Sequence, residues 1–364
     1  MKKTLSLSFA VCCLLGSFSG VRAQQSINVV TTATPFLRIS PDARAGAMGE
    51  AGVSTSADVN AQFYNLAKYS FSKNKSGIGA TYIPWMKDLG LKDVFLASVA
   101  GYHKLDDQQT ISASFRYFSL GNIQFSDNNG HLIGQGSPRE IGADLGYSRK
   151  LSDHLALGVA LRFIHSNLGA KSSNATASYK SGQAVAGDIG LYYTSAEENK
   201  NGWSAGFALT NLGSRISYNT DGSQKAFLPA NAALGVGYTW HFDESNKLSA
   251  NAELNKLLVP DMPVNNTDYQ EKGIVSSWFS SFGNKATAYS FGGEYTYNEQ
   301  FAFRAGYYTD SRNMGKRNYV TMGVGVNYSN FGLNFAYLIP SGNGITRNPL
   351  SNTLRFGIAY NIGQ

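Results

Sequence analysis

From Ser76 to the C-terminus, stretches of about ten residues alternate between apolar and polar side chains, and the connections between them are by turns long and short. Strict alternation places one set of side chains on each face of a strand. Tilted strands of about ten residues span a bilayer, and long loops alternating with tight turns are typical of outer-membrane barrels. The pattern therefore predicts an all-β fold, a 14-stranded antiparallel transmembrane β-barrel over residues 76–364.

Fourteen strands are predicted, an even number, as is usual for single-chain bacterial barrels. They are Ser76–Trp85, Asp93–Lys104, Gln109–Leu120, Arg139–Arg149, His154–Ser166, Gln183–Thr194, Trp203–Leu212, Ala230–Phe242, Lys247–Leu258, Ala286–Tyr297, Phe301–Thr309, Tyr319–Tyr328, Phe331–Ile339 and Thr353–Ile362. The interleaved short and long connections predict periplasmic turns, outer loops and both termini in the periplasm. A soluble β-sandwich would share the two-residue period, but it has little reason to keep this asymmetry.

Residues 1–23 are predicted to be a secretory signal. Two lysines precede the apolar run Leu5–Phe18, and Val21–Ala23 offers small residues of the kind that a signal peptidase reads. Both cysteines, Cys12 and Cys13, fall within it, so no disulfide or thiolate chemistry is expected in the mature chain. Residues 24–75 are rich in Ala, Gly, Ser and Asp, and are predicted to form an N-terminal plug or hatch segment.

Charge and motifs exclude several kinds of function. The net charge is +7, and about +4 remains once Lys2, Lys3 and Arg22 leave with the signal. This charge is spread over loops, whereas a nucleic-acid-binding face needs clustered basic residues, so no nucleic-acid partner is expected. The five histidines lie far apart, and no glycine-rich phosphate loop is present. We therefore expect no metal, no cofactor and no catalytic residue. A serine hydrolase built from a Ser-His pair across strands is an alternative that no motif supports.

Eight charged residues occur in the register opposite the apolar side chains of the predicted strands. They are Arg116, Asp144, Arg162, Asp188, Glu253, Glu294, Arg304 and Arg355. A charge that faces lipid near the midplane costs several kcal/mol, so these side chains are predicted to face the lumen. Four arginines and four acids suggest ion pairs that hold the plug. The alternative is that they only solvate the lumen.

Motifs in the plug segment and the first strands carry a family resemblance. Thr34–Gly46 reads TPFLRISPDARAG and continues as MGEAG at Met48–Gly52, while Tyr82–Trp85 reads YIPW and Gly101–Asp106 reads GYHKLD. Together they resemble the PorV family of the bacterial type IX secretion system. PorV-like proteins are similar in turn to long-chain fatty-acid transporters, which are fourteen-stranded barrels whose hatch carries Asn-Pro-Ala. This chain has Asn65-Leu66-Ala67 instead, which weakens the case for a gated hydrophobic ligand.

The resemblance implies a non-enzymatic role in the outer membrane. PorV-like proteins receive exported proteins from a very large translocon barrel and hold their C-terminal signal domain at the cell surface. They bring this cargo to a sortase-like surface peptidase, which attaches it to anionic lipopolysaccharide. The implied partners are therefore the translocon, the cargo, the peptidase and outer-membrane lipid. The alternatives are a transporter of hydrophobic compounds such as fatty acids and, third, a plain porin.

Two groups of site residues are predicted. The residues expected to anchor the plug are Phe36, Arg38, Asp42, Arg44 and Asn65, and the charged side chains among them are expected to meet partners in the lumen. Apolar side chains in the outer loops Gly121–Pro138 and Val259–Lys285 indicate an interface, because such residues on water-facing loops usually mark one. The residues expected to contact partner proteins are Trp85, Phe125, Ile133, Trp278 and Phe279. Alternatively, these loops dip into the outer leaflet or fold over the barrel mouth.

Overall fold

The structure is a computed structural model that describes part of the chain. The described residues are 29–86, 90–126, 129–168, 180–196, 200–222, 224–261, 269, 271–340 and 353–363. The predicted signal, residues 1–23, lies outside them.

The described residues form sixteen strands. They are β1 (Ser76–Pro84), β2 (Val94–Lys104), β3 (Gln109–Leu120), β4 (Ile123–Ser126), β5 (Leu132–Gly136), β6 (Arg139–Lys150), β7 (Leu155–Asn167), β8 (Gly182–Thr194), β9 (Gly202–Gly213), β10 (Asn231–His241), β11 (Asn246–Leu257), β12 (Thr287–Tyr297), β13 (Phe301–Asp310), β14 (Asn318–Tyr328), β15 (Phe331–Pro340) and β16 (Leu354–Ile362). All except β4 and β5 close into one barrel.

The barrel is antiparallel throughout and each strand pairs with its neighbour along the chain. The circle closes where β1 pairs with β16, from Ser76 opposite Ile362 to Tyr82 opposite Phe356. The β4–β5 hairpin is a separate two-stranded sheet between β3 and β6. The predicted 14-stranded antiparallel barrel is therefore confirmed, and every predicted strand end lies within one residue of the observed one.

The lipid-facing and lumen-facing sides of the strands follow the two-residue period. In β7, Val159, Leu161 and Phe163 are exposed on the outside, whereas Ala160 and Arg162 are buried inside. This alternation of exposed apolar and buried polar or small residues is typical of a strand that faces lipid on one side and the lumen on the other. The alternation thus gives the barrel an apolar outer face and an interior that holds charged and small side chains.

The two ends of the barrel differ, and we name them by their connections. The long-loop end carries the connections after β1, β3, β7, β9, β11, β13 and β15, and the short-turn end carries the six others. Near the short-turn end, Trp203, Tyr238 and Trp240 form an aromatic row with ring centroids 4.8 and 4.7 Å apart. Rings with a polar tip are stable at the headgroup level. No helix among the described residues is long and apolar enough to cross a membrane.

Residues 29–75, which we call the plug, fill the inside of the barrel. The plug contains a short α-helix, α1 (Ala43–Ala47), and 3₁₀ turns at Pro35–Arg38, Ala61–Phe63 and Leu66–Phe71. Helix α1 packs against β14, β15 and β16. A second short helix, α2 (Ile274–Ser280), lies in the connection between β11 and β12. Irregular backbone is stable at this depth only inside the protein, where polar groups find partners.

Candidate functional site

The first anchor of the plug is aromatic. Phe36, fully buried, stacks on Phe118 of β3 with ring centroids 6.3 Å apart and planes 9° from parallel. Trp85, just after β1, packs on the same Phe118 ring at 5.1 Å. Burying a side chain of this size contributes about 1.5–3 kcal/mol. Phe36 therefore fixes the start of the plug to the wall near the long-loop end.

Asp42 fixes the direction of α1. Its two carboxylate oxygens accept hydrogen bonds from the backbone N–H groups of Arg44 and Ala45, at 3.0 and 2.9 Å. The Asn60 side chain donates to the same carboxylate at 2.8 Å. Burial raises the pKa of Asp42, so these donors are needed to keep its charge acceptable. An N-cap of this kind sets where the helix begins and which way Arg44 extends.

Arg44 connects the plug to the wall through an ion-pair network. Its Nε and Nη2 atoms donate to both oxygens of Glu294 on β12, at 2.9 and 2.7 Å. Its Nη1 atom donates to Asp58 of the plug at 2.7 Å. Arg304 lies directly opposite Glu294 on β13 and donates to it at 2.6 Å. Bidentate arginine–carboxylate pairs are among the strongest charge-assisted hydrogen bonds.

Glu253 of β11 holds plug backbone rather than a plug side chain. Its Oε2 atom accepts hydrogen bonds from the N–H groups of Gly52 and Val53 at 2.8 and 2.9 Å. The carbonyl of Gly52 in turn accepts a bond from Lys68 Nζ at 2.6 Å. Burial lowers the pKa of Lys68. This network secures the middle of the plug to β11.

Two further contacts add to the attachment. Asn65 Nδ2 donates to the carbonyl of Leu191 on β8 at 2.8 Å, and its Oδ1 atom accepts from the Ala67 N–H at 3.2 Å. Arg355 Nη2 of β16 pairs with Glu50 of the plug at 2.6 Å. The plug is therefore bonded to strands on several sides of the barrel, which fits a fixed segment better than a loosely seated one.

Not every lumen charge touches the plug. Arg162 of β7 bridges Asp144 of β6 and Asp188 of β8, donating to Asp188 Oδ2 at 2.8 Å. Arg116 lies 3.8 Å from Asp144 and its guanidinium covers the ring of Phe63 in the plug at 5.2 Å. All eight predicted lumen charges are buried. Four of them, Glu253, Glu294, Arg355 and Arg116, contact plug residues directly, and the others join wall strands.

Arg38 is placed differently from the other plug anchors. It lines a cavity between the plug and the long-loop end, and its Nη2 atom has no hydrogen-bond partner among the described residues. The sequence predicts that Arg38 meets a lumen charge, as Arg44 does, but the structure shows no carboxylate bonded to Arg38 among the described residues. Arg317, a cation close enough for its charge to act on Arg38, is paired with Asp310 at 2.7 Å.

The contact residues that the sequence did not single out are Glu50, Asp58 and Lys68 in the plug. All three are ionic groups in a segment that is predicted to be buried, which is a usable signal because buried charges need partners. Thr321 of β14 gave no such signal. Its hydroxyl accepts from the Gly49 N–H and donates to the Ala47 carbonyl, each at 2.8 Å.

The backbones of plug and wall approach each other closely at Gly306 of β13. A Cβ atom there would lie 2.1 Å from the Gly49 nitrogen and 2.2 Å from the Met48 carbonyl carbon. Gly49 itself has φ of 66°, a left-handed conformation that favours glycine. A glycine at each position therefore lets the two backbones touch.

Gly306→Val is expected to push the plug off the wall. Overpacking of this kind costs about 1–3 kcal/mol, which predicts roughly five- to 150-fold faster trypsin cleavage within the plug in detergent. Gly293→Val on β12 is the matched control, since a Cβ there has only the Ser249 carbonyl within 4 Å, at 3.9 Å. Equal cleavage of the two variants would show that the close approach does not hold the plug.

The long-loop end presents exposed apolar side chains in two places. Val275 and Phe279 of α2 are 57 and 72% exposed, and Phe282, in the 3₁₀ turn Ser281–Gly283 that follows α2, is 58% exposed. Their spacing of four and three residues puts them on one face of the helical segment. In the β4–β5 hairpin, Ile123 and Leu132 are also exposed. Exposed apolar side chains of this kind are candidates for contact with a partner protein or with lipid.

The five residues predicted to contact partners have different environments. Phe279 is exposed on α2, whereas Trp278 is partly buried against Leu258. Trp85 is partly buried against Phe118. Phe125 and Ile133 lie in β4 and β5, but their side chains are outside what the structure describes.

Among the described residues no group of three His, Cys, Asp or Glu side chains is arranged to hold a metal ion.

Comparison with known families decides the affiliation of this chain. The family model of the type IX secretion system protein PorV matches residues 22–264, which include the plug and β1–β11. The chain belongs to the PorV family. PorV-family membership and the barrel fold make it an outer-membrane component of the type IX secretion system. No curated protein sequence matches the chain.

Solved structures that resemble this PorV-family chain are hydrocarbon-transporter barrels. A TodX deletion mutant, a monoaromatic hydrocarbon channel, has 15% identity and a TM-score of 0.55, covering 88% of this chain and 98% of its own. The Pseudomonas putida toluene transporter TodX has 14% identity, a TM-score of 0.53 and coverages of 88% and 98%. The Ralstonia pickettii toluene transporter TbuX has 13%, 0.51, 88% and 97%. At these identities the likeness shows the fold alone.

Proposed function

We propose that this protein is a non-enzymatic carrier of exported proteins. It binds their C-terminal signal domain at the very large translocon barrel and shuttles them to the sortase-like surface peptidase, which attaches them to lipopolysaccharide. The observation that carries the proposal is the PorV family match over residues 22–264. Exposed apolar side chains on α2 and on the β4–β5 hairpin give it further support.

The proposed orientation places the long-loop end outside the cell. In bacterial barrels the short turns lie in the periplasm and the long loops lie outside. Both termini are then periplasmic, because β1 begins and β16 ends at the short-turn end. The exposed apolar faces of α2 and of the β4–β5 hairpin are on the outer side in this orientation, where cargo emerges.

The apolar face of α2 is the surface we propose for cargo. Phe279 and Val275 supply exposed apolar area, and the partly buried Trp278 packs α2 against the cluster that contains Leu258. Aromatic and apolar anchors that become desolvated carry most of the binding energy in protein interfaces. The same reasoning extends to the hairpin through Ile123 and Leu132, and to Trp85, Phe125 and Ile133 as predicted contacts.

Transport of a hydrophobic compound is the second candidate, since the fold is that of barrels described as hydrocarbon channels and toluene transporters. Such a role needs an apolar path through the lumen. Here Glu294, Glu253 and Arg355 bond the plug to the wall. Because these charged side chains lie inside the barrel, the lumen is polar where an apolar path would have to pass. We therefore rank it below the carrier role.

Affinity purification tests the proposal. A tag at the C-terminus allows the protein to be recovered from detergent-solubilised outer membranes, and mass spectrometry then identifies bound proteins and lipids. We expect secreted proteins that share a C-terminal domain, together with a very large barrel or a surface peptidase. Recovery of a hydrocarbon or fatty-acyl ligand at about one per barrel, with no protein partner, would contradict the carrier role and support transport.

A further inference from the structure

A cavity of about 130 Å³ lies inside the barrel, between the plug and the long-loop end. Plug residues Leu37–Pro41 form one side of it. Arg116, Ser290 and Arg317 are among the wall residues that form the other. Liquid water occupies about 30 Å³ per molecule, so the cavity is large enough for a small polyatomic group with a few waters.

Three residues that line the cavity carry hydrogen-bond donors without an acceptor among the described residues. Arg38 Nη2, Arg116 Nε and Nη2, and Ser290 Oγ are buried and have no hydrogen-bond partner among the described residues. Only 2% of Arg116 is exposed. A buried donor without a partner is costly, and the cost is larger when the group is charged. Donors of this kind are expected where a ligand supplies the missing acceptors.

The carboxylates nearby do not satisfy these donors. Asp144 lies 3.8 Å from Arg116 Nη2, beyond hydrogen-bond distance, and it already accepts from Arg162 and Ser114. Glu253, which also lines the cavity, accepts from plug backbone and from Asn255.

The two remaining charged residues of the cavity wall are also paired. Glu50 accepts from Arg355, and Arg317 is paired with Asp310. Among the described residues that line this cavity, the charged groups with unsatisfied hydrogen-bonding atoms are therefore cationic, namely Arg38 and Arg116.

We propose that this cavity binds an oxyanion group, a carboxylate or a phosphate, through the guanidinium groups of Arg38 and Arg116 that line it. A guanidinium presents a planar fork of N–H donors that matches both groups. Ser290 adds a neutral donor from β12. A free small anion and the anionic end of a larger molecule entering from the long-loop end share this chemistry. The site goes beyond the carrier role and does not depend on it.

Calorimetric titration of the full chain in a neutral detergent tests the site. The probes are inorganic phosphate, acetate and hexanoate at millimolar concentrations. We expect saturable binding of at least one probe at one per barrel, and Arg38→Gln is expected to weaken it about tenfold or more. Arg312→Gln is the matched control, because Arg312 is exposed on the β13–β14 connection. It is expected to change binding less than about twofold.

A second variant covers the wall side of the site. Arg116→Lys keeps the positive charge beside Asp144 but removes the planar set of guanidinium N–H donors. It is expected to weaken anion binding about as much as Arg38→Gln does. Heat-dependent gel mobility verifies that each barrel is folded. Tighter binding of hexanoate than of acetate would assign the site to the end of a larger molecule, and equal or weaker binding to a free anion. The absence of saturable binding by the unaltered protein, or binding that Arg38→Gln and Arg116→Lys leave unchanged, would overturn the proposal.

Discussion

Glu294→Ala is expected to release the plug while the barrel stays closed. The substitution leaves two buried guanidinium groups, Arg44 and Arg304, without the carboxylate that now binds both. Breaking a buried ion pair by removing one partner costs about 3–5 kcal/mol. Hydrogen exchange of backbone amides between Asp42 and Asp58 is the measurement, and it should accelerate about a hundredfold or more.

The control for this experiment is Glu299→Ala. Glu299 pairs with Lys247 at 2.5 Å, but it is 60% exposed at the short-turn end, where an ion pair contributes about 1 kcal/mol or less. Exchange in the plug should therefore stay close to that of the unaltered protein.

A double-variant cycle assigns the effect to the pair. If Arg44 acts through Glu294, Arg44→Ala should destabilise the plug clearly less in the Glu294→Ala background than alone. The reason is that the effects of substituting two residues in contact do not add. Normal exchange in Glu294→Ala would mean that the Arg44–Glu294 contact does not retain the plug.

Loss of cargo binding is expected when the apolar face of α2 is made acidic. Val275→Asp/Phe279→Asp replaces two exposed side chains, so the barrel should fold as before. Removal of two central apolar anchors is expected to lower recovery of exported proteins by about tenfold or more in the affinity purification. The amount of cargo per barrel, measured by quantitative mass spectrometry, gives the result.

Leu151→Asp is the matched control for α2. Leu151 is 55% exposed, like the α2 residues, but it lies in the turn between β6 and β7 at the short-turn end. In the proposed orientation it faces the periplasm, and cargo recovery should be unchanged. If the α2 variant also retains its cargo, the apolar face of α2 does not bind cargo, and contact with the outer leaflet becomes its better explanation.

The barrel strands could be predicted because their signal is local. Gln109–Leu120 alternates apolar and polar residues over its whole length, and β3 begins and ends at these residues. The β4–β5 hairpin was missed, since the connection Gly121–Pro138 mixes glycine and apolar residues without a clean two-residue period. Helix α2 was missed because its seven residues are too few to establish helical periodicity.

Plug anchors were predicted with less detail than the strands. The sequence indicated Asp42 and Arg44 together as anchors. It did not show that Asp42 caps α1 whereas Arg44 makes the contact with the wall. It grouped Arg38 with Arg44, although only Arg44 has a carboxylate partner among the described residues. Which charge meets which depends on how far along the lumen each plug residue lies, and no local pattern encodes that position.

The sequence by itself determined the fourteen spans and placed eight charged residues in the register that faces the lumen, because side-chain direction in a strand follows from a period of two. Only the tertiary structure decided that Glu294 bonds Arg44 and Arg304, that Glu253 holds plug backbone, and that Arg38 lines a cavity. These contacts join residues up to 250 positions apart. They depend on strand register, barrel closure and the path of the plug, which the chain as a whole fixes through packing.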